Sequence, residues 1–140
     1  MDIRQITPRY HVAPQITPDD LPGIAAAGFS TVICNRPDSE IPPEIRAADI
    51  QAAAEKAGLA FERLELTRDT MTPDNIARQG RIIEAAPGPV LAYCATGTRC
   101  TMIWALGQAG HMPVDEILAT ALRGGYDLGF LRPVLEQLTR

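Results

Sequence analysis

The apolar positions of this chain change period several times, and each change marks an element. Tyr10-His11-Val12-Ala13 is a short β-type run. Thr17-Pro18-Asp19-Asp20 then has the grammar of a helix start: a capping hydroxyl, a proline at the first position and two acids at the positive end, with Gly28 as the stop. Phe29 to Cys34 is rich in β-branched residues and predicts a strand. Asn35-Arg36-Pro37-Asp38-Ser39 is turn chemistry. A helix is expected from about Pro43 to Ala57, with Ile45, Ala48 and Ala52 on one face and Gly58 behind it. Leu59 to Leu66 alternates apolar and charged residues, as a strand with one wet face does. Thr72-Pro73-Asp74-Asn75 opens a helix to about Ala86, and Pro87-Gly88-Pro89 leads into a buried-type strand ending at Tyr93. Further helices are expected to about Ala109, from Val114 to Leu122, and ending near Leu138.

Strands alternating with helices predict an α/β fold over residues 1–140, taken as one domain. Its core is a mainly parallel twisted sheet of about four to five strands with helices on both faces. Ligands of such sheets bind beyond the carboxyl ends of the strands. That rule places Cys34, the Asn35–Asp38 loop, the Thr67–Asp74 loop and the Cys94–Arg99 loop on one rim.

The last of these loops carries the chemistry. Tyr93-Cys94-Ala95-Thr96-Gly97-Thr98-Arg99 runs from an apolar strand into an apolar helix. Backbone N–H groups in a strand-to-helix loop converge on one point, and the helix N-terminus adds positive potential there. With Arg99 adding a full charge, Cys94 is expected to ionise well below the ~8.5 of a free thiol. The loop Ala95, Thr96, Gly97, Thr98, Arg99 is thus the candidate anion site and Cys94 the candidate nucleophile. The alternative is a core cysteine at a strand end with Arg99 in a surface ion pair.

Composition narrows the remaining choices. A net charge of −4 without a basic stripe argues against nucleic acid as a partner. No apolar run approaches a membrane span, and Met1-Asp2-Ile3-Arg4-Gln5 lacks the apolar core of a leader, so a cytoplasmic location is expected. Three cysteines fit free thiols better than a disulfide frame, and His11 and His111 are too far apart in sequence to suggest zinc spacing. Neither metal nor cofactor is expected.

The rim motifs resemble one family, the phosphatase-like domain of the beta-lactamase-hydrolase-like proteins. The resemblance rests on Gln15, Gly28-Phe29-Ser30-Thr31-Val32-Ile33, Asn35-Arg36-Pro37-Asp38-Ser39-Glu40, Gly88-Pro89-Val90-Leu91, Cys94-x-x-Gly97-Thr98-Arg99 and Trp104-Ala105-Leu106. It implies a fold like that of the dual-specificity cysteine phosphatases, and some members are labelled sulfur transferases. The chain departs from the family pattern at Tyr93, where a histidine is common, at Ala95-Thr96, where Arg-Ser is common, and at Cys100, where a hydroxyl residue usually follows the arginine.

Two reactions follow from the resemblance. Cysteine-dependent phosphatases generally place five residues between cysteine and arginine, whereas this loop has four and is similar in length to a rhodanese-type loop. The leading expectation is therefore a sulfurtransferase: Cys94 takes a sulfane sulfur, becomes a persulfide and passes the sulfur to a thiol acceptor. The alternative is a phosphatase with a thiophosphoryl-Cys94 intermediate, in which a rim acid protonates the leaving group. Asp69 is the best-placed acid; Asp74 reads as a helix N-terminal charge and Asp38 as a turn cap. A non-catalytic anion- or thiol-sensing module is the third reading. Among other rim residues, Cys34 is either a resolving thiol for Cys94 or a buried hydrophobe, and Cys100 either a hydrogen-bonding thiol near Cys94 or filler. Arg36 either binds an anionic substrate or forms a surface ion pair, and Trp104 is a core anchor.

Overall fold

The computed structural model describes residues 1–140. Five strands form one sheet: β1 (Arg4–Thr7), β2 (Tyr10–Ala13), β3 (Thr31–Cys34), β4 (Ala60–Arg63) and β5 (Val90–Tyr93), in the order β1-β2-β5-β3-β4. β2, β5, β3 and β4 run parallel, and β1 is antiparallel to β2. Helices α1 (Leu21–Ala26) and α2 (Ala47–Lys56) cover one face of the sheet. The other face is covered by α3 (Pro73–Ala85), α4 (Thr98–Gln108), α5 (Val114–Arg123) and α6 (Arg132–Thr139). No helix is long and apolar enough to cross a membrane.

The α/β expectation therefore holds, with two local differences. Arg4–Thr7 adds an edge strand that no apolar alternation announces, since Ile6 is its only buried residue. The buried face of α2 is Ala47, Ile50 and Ala54, not Ile45, Ala48 and Ala52. The reason is local: Pro43–Ile45 is a separate 3₁₀ turn, and Arg46 is extended at ψ 162°, so helical phase counts from Ala47.

The capping signals work as their chemistry demands. Thr72 Oγ1 accepts the Asn75 N–H at 3.2 Å and Pro73 opens α3. The Asp20 carboxylate accepts the Thr17 N–H at 2.9 Å ahead of α1. Every residue of α4 from Cys100 to Leu106 is buried, which makes it the central helix of its layer.

Register brings the loops together. Cys34 lies opposite Tyr93, and Ala13 lies on the other side of Tyr93. The Cys94 N–H then bonds Ala13 O and the Asn35 N–H bonds Tyr93 O, so the three central strands end at one level. Alternation decides which way each cysteine points. Cys34 and Tyr93 belong to the α1–α2 core, and Cys94 and Cys100 to the α3–α6 core.

Candidate active site

Cys94 leaves β5 at the centre of the rim, and its sulfur accepts the Gly97 N–H at 3.1 Å. Two constraints require glycine at 97. Its φ is +90°, in the left-handed region. A β-carbon there would also collide with the Tyr126 hydroxyl. That hydroxyl donates to Thr96 O at 2.9 Å and clamps the loop from above. Thr101 ties the far end down, with its Oγ1 donating to Gly97 O at 2.8 Å.

The Cys94 thiol is pulled down to about 5 from an ordinary value of 9.0. The largest cause is the neighbouring Cys100 thiol, which more than offsets burial; nearby backbone N–H groups add to it, that of Gly97 in hydrogen-bond geometry. Cys100 is in turn pushed well above its usual range, by burial first and by the neighbouring Cys94 second. It therefore stays protonated beside the Cys94 sulfur. The sequence assigns the stabilisation to Arg99 and the helix N-terminus and leaves Cys100 either as a weak thiol partner of Cys94 or as filler; in the fold Cys100 is the largest influence on Cys94.

Arg99 is held from behind. Its Nη1 and Nη2 donate to Glu40 Oε2 and Oε1 at 2.9 and 2.8 Å, and Nη1 also donates to Leu66 O at 2.9 Å. The Arg99 hydrogen bond, opposed by partial burial, holds the Glu40 carboxyl below its ordinary value. Of the five guanidinium N–H groups, these contacts use three. The two left are Nε–H and the second Nη2–H, which lie on one edge and form a fork suited to two oxygens of one anion.

Above the loop is a mouth of about 350 Å³. It is lined by Thr96, Thr98 and Arg99, by Glu40, by Thr67 and Arg68, and by Met102. Cys94 lies beneath these residues with no exposed surface.

The other sequence candidates are distributed differently. Asp69 is exposed on the Arg68–Thr70 turn and does not line the mouth, whereas its neighbour Arg68 does. Asp74 is in the first turn of α3. Asp38 accepts the Ala47 N–H and pairs with Arg63, both at 2.8 Å, so it is a structural cap. Arg36 faces Gln15 Oε1 at 3.1 Å and Glu40 O at 3.2 Å; it props the residue that holds Arg99 and is not turned toward the mouth. Cys34 cannot serve as a resolving thiol in this arrangement, because its side chain packs on the opposite face of the sheet from Cys94. Trp104 is buried in the α3–α6 core. No cluster of His, Cys, Asp and Glu side chains is arranged to hold a metal ion.

Glu40 and Tyr126 escaped the sequence reading. Glu40 lies inside the quoted Asn35–Glu40 motif, but only chain closure sets it against an arginine 59 residues away. Tyr126 carries no local signal beyond the Gly124-Gly125 pair before it.

Comparison with known proteins places this geometry. The family described as the phosphatase-like domain of beta-lactamase hydrolase-like protein matches residues 2–111. A beta-lactamase hydrolase-like protein of Xylella fastidiosa (strain Temecula1) is 34% identical over 131 residues, which is 92% of this chain and 30% of the relative. One from Agrobacterium fabrum is 31% identical over 126 residues, 89% of this chain and 29% of that protein. The chain thus spans less than a third of the length of these relatives. Among solved structures, a candidate phosphatase of Neisseria meningitidis superposes with a TM-score of 0.89 at 36% identity, covering 99% of both chains. PTPMT1 shares the fold alone, at 15% identity, a TM-score of 0.72 and coverage of 98% and 96%.

Proposed function

We propose that this chain, which belongs to the family of phosphatase-like domains of beta-lactamase hydrolase-like proteins, is a cysteine-dependent phosphomonoester hydrolase. The observation that carries this reading is the free edge of Arg99 on the loop whose Gly97 N–H is turned onto the Cys94 sulfur. Two parallel N–H groups match two oxygens of a tetrahedral phosphoryl group, whereas the terminal sulfur of a persulfide is a single acceptor atom. Sulfur transfer, expected from loop length, also fits the lack of a general acid in the mouth, since sulfite or a thiolate leaves without one; the Arg99 fork is what favours phosphoryl transfer. The solved relatives point to phosphatases.

In the proposed reaction, Cys94 Sγ attacks phosphorus, the P–O bond to the leaving group breaks, and a thiophosphoryl cysteine forms. Water then attacks phosphorus, releasing inorganic phosphate and regenerating the thiolate. Arg99 and the loop N–H groups bind the non-bridging oxygens in both steps. Cys94 has no exposed surface in this structure, so the mouth must open over the sulfur before attack.

The mouth also selects the leaving group. Its one carboxylate, Glu40, is committed to Arg99 and Arg36 and has no proton to give. Asp69 is outside the mouth. A substrate whose alcohol leaves unaided, an aryl phosphate, is therefore favoured over an alkyl phosphate. At the mouth's edge, the Arg68 guanidinium stands 5.5 Å from the Phe130 ring centroid, and Phe130 is 52% exposed. That pair offers a flat surface to an aryl body.

The test is hydrolysis of para-nitrophenyl phosphate, with vanadate as competitor and intact mass as the second readout. Nitrophenol release blocked by vanadate is the expected result. A protein that releases none, yet gains one sulfur atom at Cys94 from thiosulfate, would move the assignment to sulfur transfer.

A further inference from the structure

A chain of buried polar side chains runs beneath the site, and the proposed reaction does not use it directly. Tyr10, Asn35 and Gln79 come from β2, the end of β3 and α3, and none has exposed surface beyond 1%. Gln79 Nε2 donates to the Tyr10 hydroxyl at 3.1 Å and to Asn35 Oδ1 at 3.0 Å. Asn35 Nδ2 returns a bond to Gln79 Oε1 at 3.0 Å and gives another to Leu64 O at 2.8 Å. The Tyr10 hydroxyl donates to Cys100 O at 2.7 Å.

Both ends of this chain terminate on the site. At one end, Tyr10 pins the first turn of α4 through the carbonyl of Cys100, whose thiol is the neighbour with the largest influence on Cys94. At the other, Asn35 holds the segment after β4 with its side chain on Leu64 O and its own carbonyl on the Leu66 N–H at 2.8 Å. Leu66 O is in turn the carbonyl that Arg99 Nη1 grips. Buried amides facing one another with both donors and acceptors matched have little freedom to re-pair, because any alternative leaves a polar group unsatisfied.

We infer that Tyr10, Gln79 and Asn35 form a strut that sets the distance between the Cys94 thiolate and the Arg99 fork, with Gln79 as its hub. They are positioning residues: none reaches the mouth, and each acts through Cys100 or Leu66. The inference rests on Cys94 as nucleophile and on Arg99 as anion fork, but not on which ester is cleaved.

The test uses variants that delete single members of the strut, namely Tyr10→Phe and Gln79→Met. Tyr93→Phe is the control, since it removes an equally buried hydroxyl that lies on the other face of the sheet. The pH dependence of thiolate ultraviolet absorbance, taken as a difference from Cys94→Ala, reads the nucleophile without requiring turnover. Affinity for inorganic phosphate reads the fork. Tyr10→Phe and Gln79→Met should raise the Cys94 midpoint by about one pH unit, a tenfold loss of thiolate below it. Gln79→Met should also weaken phosphate binding by about fivefold, a loss of about 1 kcal/mol. Tyr93→Phe should leave both readings in place. A folded Tyr10→Phe protein with the wild-type midpoint would overturn the strut, as would a Tyr93→Phe protein that shifts as far. Should Gln79→Met fail to fold by circular dichroism, Tyr10→Phe decides alone. If the wild type ionises as expected but binds no phosphate, the anion assignment fails and the absorbance result still stands for the strut.

Discussion

Two cysteines finish neighbouring parallel strands on the same rim, and their chemistry diverges completely. Cys94 is held at about 5, while Cys34 is pushed above its ordinary value, by burial first. Both are buried, but Cys34 pairs in register with Tyr93, one residue short of Cys94, so the two side chains face opposite sides of the sheet. The backbone that follows differs as well. After Cys34 comes Asn35-Arg36-Pro37; the proline has no N–H, and the Cys34 thiol ends as a donor to Arg36 O at 3.4 Å. After Cys94 the chain turns left-handed at Gly97 and enters α4, which turns N–H groups and the Cys100 thiol onto the sulfur. A thiolate here is a property of the next six residues, not of the strand that delivers the cysteine.

The comparison breaks most sharply at Cys94, the proposed nucleophile. Cys94→Ser should lower kcat/KM for para-nitrophenyl phosphate by at least about 10⁴-fold, because a hydroxyl in the same cradle does not ionise at neutral pH. Full activity in that variant would remove Cys94 from the reaction.

Cys100→Ala is the intermediate case. It deletes the largest influence on Cys94 and leaves the loop N–H groups in place. Activity depends on the ionised form, so in the wild type it rises with pH through about 5 and then levels off. Without the Cys100 thiol that rise should move to higher pH, with about a tenfold loss of rate on the acid side for each unit. Cys100→Ser keeps a donor and should restore most of the shift. Stability follows the same sign. Cys94 ionises more easily folded than unfolded, so its contribution is present above an unfolded value near 9 and fades as pH falls through about 5. Urea unfolding at several pH values checks this, and a wild-type curve without that slope would contradict it.

Cys34→Ala should give the smallest effect. Rates should stay within about twofold, with only the modest stability loss of a small buried side chain. A large fall in activity would show that the two faces of the sheet communicate at the rim.

Much of this molecule was legible residue by residue. Four of the five strands and the helices lie near their expected places, because period and capping chemistry act within a few residues. The Cys94–Arg99 loop was legible for the same reason. The edge strand β1 was not, because it is held by pairing to β2 and buries only Ile6. Nor was the true face of α2, since the phase of a short helix depends on the residue at which it starts.

What the sequence by itself determined is a cysteine at a strand end, its glycine turn and the arginine five residues on, because a strand–loop–helix aims its own N–H groups wherever it is placed. The tertiary structure decided that Cys34 packs in the α1–α2 core, away from Cys94. It also turned one edge of Arg99 toward Glu40, leaving the other for an anion, and seated Tyr126 over Gly97. The Glu40 and Tyr126 contacts join segments roughly 30 to 60 residues apart. Their free energy depends on which faces meet once the sheet has closed, and no local pattern encodes that.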